Sequence, residues 1–99
     1  MSRGFLGIVS AELSFPGSTS LKDKRVHMRA MRDRLTRRHG ATFSEVGLQE
    51  RWRRAHIVCA IAGSEARGTE LAIDRAVQYL GSQEWELVRA ERELVEIDV

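Results

Sequence analysis

Positively charged side chains are concentrated between Pro16 and His39, in the stretch PGSTSLKDKRVHMRAMRDRLTRRH. This stretch contains eight of the sixteen Lys and Arg residues of the chain. On a helix that turns roughly 100° per residue, four of them fall on one arc: Lys22, Arg25, Arg29 and Arg32. A basic stripe with little intervening acid can attract the phosphates of RNA without reading a base sequence. We therefore expect RNA, or a ribosomal particle, to contact this stripe.

The turn before this helix adds hydroxyl groups and free backbone N–H groups. Ser18, Thr19 and Ser20 precede the helix, and the N–H groups of a helix N-terminus form a natural anion site. We include Ser18 with the four basic residues as the candidate anion or RNA contact. Two alternatives stay open: the stripe is only a solvated face, partly paired with the Glu-rich last strand, or the turn at 17–20 and Lys22 belong to an anion-binding enzyme.

Other familiar chemistries are not indicated. PGSTSLKDK has one glycine and no Lys before its Ser or Thr, so it is not a nucleotide P-loop. His56 and Cys59 are three residues apart on a strand and therefore point to opposite faces, which argues against a metal pair. No nucleophile–base pattern is visible, so we expect no enzyme, no catalytic residues, no metal and no cofactor. We expect Trp52 to fold back onto the body, and Trp52 and Trp85 to serve as packing or interface anchors.

The composition is that of one globular domain spanning residues 1–99. Hydrophobic residues make up 42% and charged residues 30% of the chain, and no apolar stretch approaches the ~20 residues that span a bilayer. We expect no signal peptide, no membrane partner and a cytoplasmic location, which the lone Cys59 also fits. Residues 1–54 carry twelve Lys/Arg and five Asp/Glu, a net charge of +7, whereas residues 55–99 carry four and nine, a net charge of −5.

Hydrophobic periodicity predicts six elements. Strands are expected at 4–15, 41–48, 55–62 and 85–97, and helices at 21–38 and 66–81. Leu21, Met28, Met31 and Leu35 should face the core from the first helix, which Ser20 caps and Gly40 ends. The spacing of Phe43 and Val46 hints at a bulge in the second strand. The last strand loses its period past Ala90, which suits a bent edge strand.

The order βαββαβ predicts an α+β, ferredoxin-like sandwich: a four-stranded antiparallel sheet with two helices on one face. The first and third strands are expected in the centre, and both are apolar on two faces. Because two helices cover only one face, we expect a second copy of the chain to cover the open sheet face, giving a homo-oligomer, most simply a dimer. Base stacking on that face, as in RRM domains, is not expected, because the third strand has no aromatic residue.

Two motifs resemble the YlxP-like family of small bacterial proteins of unknown function. The first is the turn and helix start, PGSTSLKDKR from Pro16 to Arg25, and the second is SEVGLQERWRRA from Ser44 to Ala55. The resemblance extends from about Gly4 to Val95 and includes a buried strand that leads into Ser64. It implies a ferredoxin-like domain from a bacterial cytoplasm, often encoded near translation and ribosome-maturation factors. It implies no catalytic residues.

These observations together predict a non-enzymatic binding protein that contacts RNA or the ribosome through its basic helix. The alternative is a structural or interaction module that forms homo-oligomers or binds a protein partner, with no role in nucleic-acid binding. In that case the basic half of one copy would meet an acidic half of another.

Overall fold

The computed structural model describes residues 2–99. Its elements are β1 (Arg3–Ser14), α1 (Leu21–His39), β2 (Thr42–Gly47), β3 (Arg54–Gly63), α2 (Ala66–Leu80) and β4 (Glu86–Asp98). The strands form one antiparallel sheet in the order β2-β3-β1-β4, with β1 and β3 in the centre. This confirms the ferredoxin-like α+β prediction, and each predicted boundary lies within one residue of the observed one.

Both helices pack on the same face of the sheet, with α1 against β2 and α2 against β1, β3 and β4. In the central strands, most residues that point toward the helices are buried, and these include Val9, Ala11, Leu13, Ile57, Cys59 and Ile61. Gly7 lies directly beneath Ile73 of α2, where a Cβ would collide with the isoleucine side chain. Glycine at this position therefore lets α2 approach the sheet closely.

The ends of α1 follow the predicted signals. The Ser20 hydroxyl accepts a hydrogen bond from the Asp23 N–H at 3.1 Å, and Gly40 closes the helix at φ 61°. The Asp23 carboxylate accepts from the N–H of Thr19 at 2.9 Å and from its hydroxyl at 2.7 Å. These two bonds hold the pKa of Asp23 below its usual value.

Both edge strands contain an irregularity. The pairing of β2 with β3 shifts between Glu45 and Gly47, so the bulge predicted near Val46 is confirmed. In β4 the register shifts where Arg89 pairs with Glu12 and Leu87 with Leu13, which leaves Val88 between them. The irregularity thus precedes Ala90, whereas the sequence pattern placed it after that residue.

The second face of the sheet has no covering element within residues 2–99. Leu6, Ile8, Val58 and Val95 lie on this face and are only half-buried, and the register places Ile8 beside Ala60 of β3. The central strands are therefore buried fully on the helix side alone. Toward the start of β3 the same face becomes polar.

Candidate nucleic-acid interface

The four basic residues predicted to form a stripe are exposed along α1. Within residues 2–99, none of Lys22, Arg25, Arg29 and Arg32 takes part in a salt bridge. The Arg32 guanidinium lies 5.3 Å from the centroid of the Phe43 ring, a cation–π contact that places the stripe on the β2 side of α1. We call these four residues the basic stripe.

Acidic residues of β4 do not neutralise the basic stripe. The sheet order puts β4 at the opposite edge from β2, with α2 rather than α1 packed on it. The β4 residues Glu96 and Asp98 pair with Arg3 at 3.1 and 3.8 Å, while Arg92 pairs with Asp74 of α2 at 2.9 Å. The partial pairing of stripe and last strand considered from the sequence is therefore wrong.

Ser18 does not belong to the exposed surface, which corrects its assignment as a contact residue. It is 1% exposed, and its hydroxyl has no hydrogen-bond partner in the described part of the chain. Its backbone N–H donates to the Phe15 carbonyl at 3.0 Å, and its carbonyl accepts from Arg53 Nε at 2.9 Å. These two backbone hydrogen bonds, to Phe15 and from Arg53, hold Ser18 in its buried position.

Lys24, although it lies among the basic residues of α1, is buried in the core. It is 2% exposed, and its Nζ lies 2.9 Å from Glu45 Oε2, which is a salt bridge. The same Nζ lies 3.2 Å from the carbonyl oxygens of Leu48 and Arg54 and 3.3 Å from that of Gln49. The three N–H donors of the ammonium are therefore shared among four oxygens, so none of them is left without an acceptor.

The Lys24 contacts fix the loop between β2 and β3, residues 48–53, against the N-terminal half of α1. Phe15 N–H donates to the Arg53 carbonyl at 2.9 Å and adds a second tie. Leu48 adopts φ 59°, a left-handed conformation that is strained for a leucine. Two bonds hold its carbonyl, one from Lys24 Nζ at 3.2 Å and one from the Arg51 N–H at 2.9 Å. We refer to residues 48–53 as the pinned loop.

Trp52 projects from the pinned loop and is 52% exposed. The expectation that it folds back onto the body is therefore wrong. A shallow groove of about 440 Å³ surrounds it, lined also by Glu50, Arg51, Arg53 and Arg54. Trp85, by contrast, is 6% exposed and donates from Nε1 to the Leu80 carbonyl at 2.9 Å, which confirms its packing role.

A second group of arginines lies on the other side of α1, toward α2. Arg34, Arg37 and Arg38 line a surface depression of about 320 Å³ together with Tyr79. The Arg34 guanidinium lies 5.6 Å from the Tyr79 ring centroid. Burial, with Arg34 and Arg75 nearby, lowers the pKa of His39. The outward surface of α1 is thus basic on both sides, not only along the stripe.

His56 and Cys59 point to opposite faces of β3, as their spacing predicted. Burial raises the pKa of the Cys59 thiol to about 11, which makes it an inert core residue. His56 lies on the open face, where its Nε2 is 3.2 Å from Glu12 Oε1; Arg54 donates to Glu12 Oε2 at 2.8 Å. The contacts with His56 and Arg54 hold the pKa of Glu12 below its usual value.

The fold and this surface define a ferredoxin-like α+β domain with a basic outer helix. The family model described as "Protein of unknown function (DUF503)" matches residues 6–92. The chain therefore belongs to the DUF503 family. No curated protein matches the sequence. Within residues 2–99, neither helix is long and apolar enough to cross a membrane.

Proposed function

We propose that this chain is a non-enzymatic binding protein that contacts RNA, free or within a ribosomal particle, through the basic stripe. The supporting observation is that Lys22, Arg25, Arg29 and Arg32 are exposed on adjacent turns of α1 and have no acidic partner among residues 2–99. Phosphates placed along such a stripe release their counterions, so binding gains free energy that falls as salt rises.

The YlxP-like resemblance belongs to the same proposal, together with the bacterial cytoplasm that it implies. Members of that family are often encoded near translation and ribosome-maturation factors. Such neighbourhood is consistent with RNA as the partner, and it is an association rather than a physical argument.

A filter-binding titration with a structured RNA at several salt concentrations tests the proposal. The triple variant Arg25→Ala, Arg29→Ala, Arg32→Ala should bind more weakly. The slope of log K against log salt should also become less steep by about 2, since each phosphate contact contributes roughly 0.7–0.9 to that slope.

The other side of α1 provides a matched control. The variant Arg34→Ala, Arg37→Ala, Arg38→Ala removes the same charge from the same helix, and each triple includes one arginine in a cation–π contact. If the two triples weaken binding equally, the stripe has no special role. If the wild-type chain does not bind RNA at low salt, RNA is not the partner.

The open sheet face favours a second role, self-association. Leu6, Ile8, Val58 and Val95 form an apolar area that nothing within residues 2–99 covers. The register puts Glu91 and Glu93 of β4 on the same face, at one edge. If two copies pair face to face about a two-fold axis parallel to the strands, β4 of each copy lies over β2 of the other. The β2 residues on the open face are Thr42 and Ser44, which carry no charge. Two copies thereby bury their apolar areas without bringing the acidic edges together. Here the partner is a second copy of this chain.

Sedimentation at low and high salt tests this pairing. A dimer held by apolar area should persist at high salt, and Ile8→Lys should dissociate it. Leu71→Lys is the control, because Leu71 is 41% exposed on α2, on the other side of the sheet. A wild-type monomer at both salt concentrations, or a dimer that dissociates only when salt is raised, would contradict the proposed interface.

A further inference from the structure

The groove around Trp52 combines a flat aromatic surface with positive charge. Trp52 is half-exposed, and three of the other four lining residues are arginines, against the single carboxylate of Glu50. Tryptophan is usually among the more buried residue types on average, and here a buried counterpart, Trp85, is present in the same chain. In such a groove, the base of a nucleotide can stack on the exposed indole while its phosphate contacts the positive charges.

The pinned loop presents Trp52 on an ordered support. Lys24 bonds to the carbonyls of Leu48 and Gln49, which precede Trp52 in the sequence. It also bonds to the carbonyl of Arg54, which follows Trp52. Arg53 Nε donates to Ser18, which ties the residue next to Trp52 to the turn before α1. Because the backbone is already fixed, stacking a ligand on Trp52 requires little further ordering of the chain.

Charges that could hold phosphates lie at the same end of the sheet. The start of α1 follows the end of β1, and β3 begins beside that end, where Arg54 pairs with Ser14. Lys22 and Arg25 of the basic stripe are exposed there, as is Arg51 of the groove. Arg54 is bonded to Glu12 and Arg53 to Ser18, so Arg51 is the groove arginine whose guanidinium has no hydrogen bond or salt bridge among the described residues.

We propose that the pinned loop is a stacking site for an unpaired base of RNA. The Trp52 indole stacks on the base, while Arg51 and the first residues of the basic stripe, Lys22 and Arg25, contact the flanking phosphates. This rests on the proposed RNA-binding function and names its substrate class as single-stranded or looped RNA. Paired bases in an A-form helix do not offer a face to such a side chain, whereas unpaired bases do.

The test compares an oligouridine with an abasic oligoribonucleotide of the same length, which has the phosphates without the bases. Filter binding should show that Trp52→Ala weakens oligouridine binding by roughly 5- to 150-fold, the effect of losing one stacked base. Binding of the abasic strand should not change. Trp52→Phe should recover most of the lost affinity, since it keeps an aromatic face.

Fluorescence gives an independent readout. In a Trp85→Phe background, Trp52 is the only tryptophan, and its emission should be quenched by oligouridine but not by the abasic strand. The filter-binding comparison uses the otherwise wild-type chain, so it stands even if Trp85→Phe does not fold.

The outcomes separate this inference from the function on which it rests. If the chain binds both strands equally and Trp52→Ala changes neither, the stacking site is wrong while RNA binding holds. If neither strand nor a structured RNA binds, the proposed function fails with it. If Trp52 emission changes with protein concentration alone, the groove is an interface between proteins, and the stacking site is overturned.

Discussion

The inner and outer sides of α1 use the same residue type for opposite purposes. Lys24 is buried and bonded to four oxygens of β2, the pinned loop and β3, whereas Lys22, two residues earlier, is exposed on the basic stripe. The first lysine joins parts of the fold, and the second is available to a partner. A cluster of basic residues in a sequence therefore contains two populations, and only the helical phase separates them.

The largest expected effect concerns the inner side. Lys24→Ala should lower the free energy of unfolding by roughly 3 kcal/mol, because it removes a buried ammonium that bonds to the Glu45 carboxylate and to the carbonyls of Leu48, Gln49 and Arg54. Chemical denaturation measures this loss.

Lys22→Ala is the matched control for that measurement. Its side chain is exposed and has no salt-bridge partner among residues 2–99, so the change should stay within about 0.5 kcal/mol. Equal losses from Lys22→Ala and Lys24→Ala would remove the distinction between the two sides of the helix.

A smaller effect is expected from two serines of the turn. Ser20→Ala should destabilise the fold by about 1 kcal/mol, since it removes the N-cap bond to Asp23. Ser18→Ala should be neutral or stabilising by up to about 1 kcal/mol, because its buried hydroxyl has no partner to lose. Thermal unfolding of the two variants side by side gives both signs. A clear loss from Ser18→Ala would mean that its hydroxyl does bond to something in solution.

The smallest effect concerns the outer side alone. Arg25→Ala removes the repulsion between Arg25 and two like-charged neighbours on α1, Lys22 three residues before it and Arg29 four residues after it. The variant should therefore gain a few tenths of a kcal/mol at low salt, and the gain should vanish at high salt. Denaturation at two salt concentrations measures it. A loss above about 1 kcal/mol would show that Arg25 has a structural contact, like Lys24, and does not belong to the free stripe.

Much of the fold was predictable because its signals are local. Pro16-Gly17, the Ser20 cap and Gly40 mark ends that depend on a few residues, and strand periodicity fixes which face of β1 meets the helices. The exposure of the basic stripe also followed from helical phase. Leu21, placed with Met28 in the predicted core, is only half-buried, since it begins the helix at the edge of that core.

Other parts depended on contacts distant in sequence. Lys24 precedes Met28 by four and Met31 by seven residues, so its phase indicated burial, but its charge argued against it until Glu45 and three carbonyls were in place. Trp52 reversed the usual preference of its residue type, and the pinned loop that presents it is held by bonds to α1 and the preceding turn. Ser18 looked like a surface hydroxyl because the tie from Arg53 spans 35 residues.

The irregular pairing of the two edge strands has a consequence for how copies of this chain can meet. β2 is six residues long and bulged, and β4 departs from regular pairing at Val88 and carries Arg89, Glu91 and Glu93. The shifted pairing at both edges, together with the charges on β4, opposes the addition of another strand, so a continuous sheet running through two molecules is disfavoured. The same features oppose growth by edge-to-edge addition of strands, and they leave the broad surface of the sheet open.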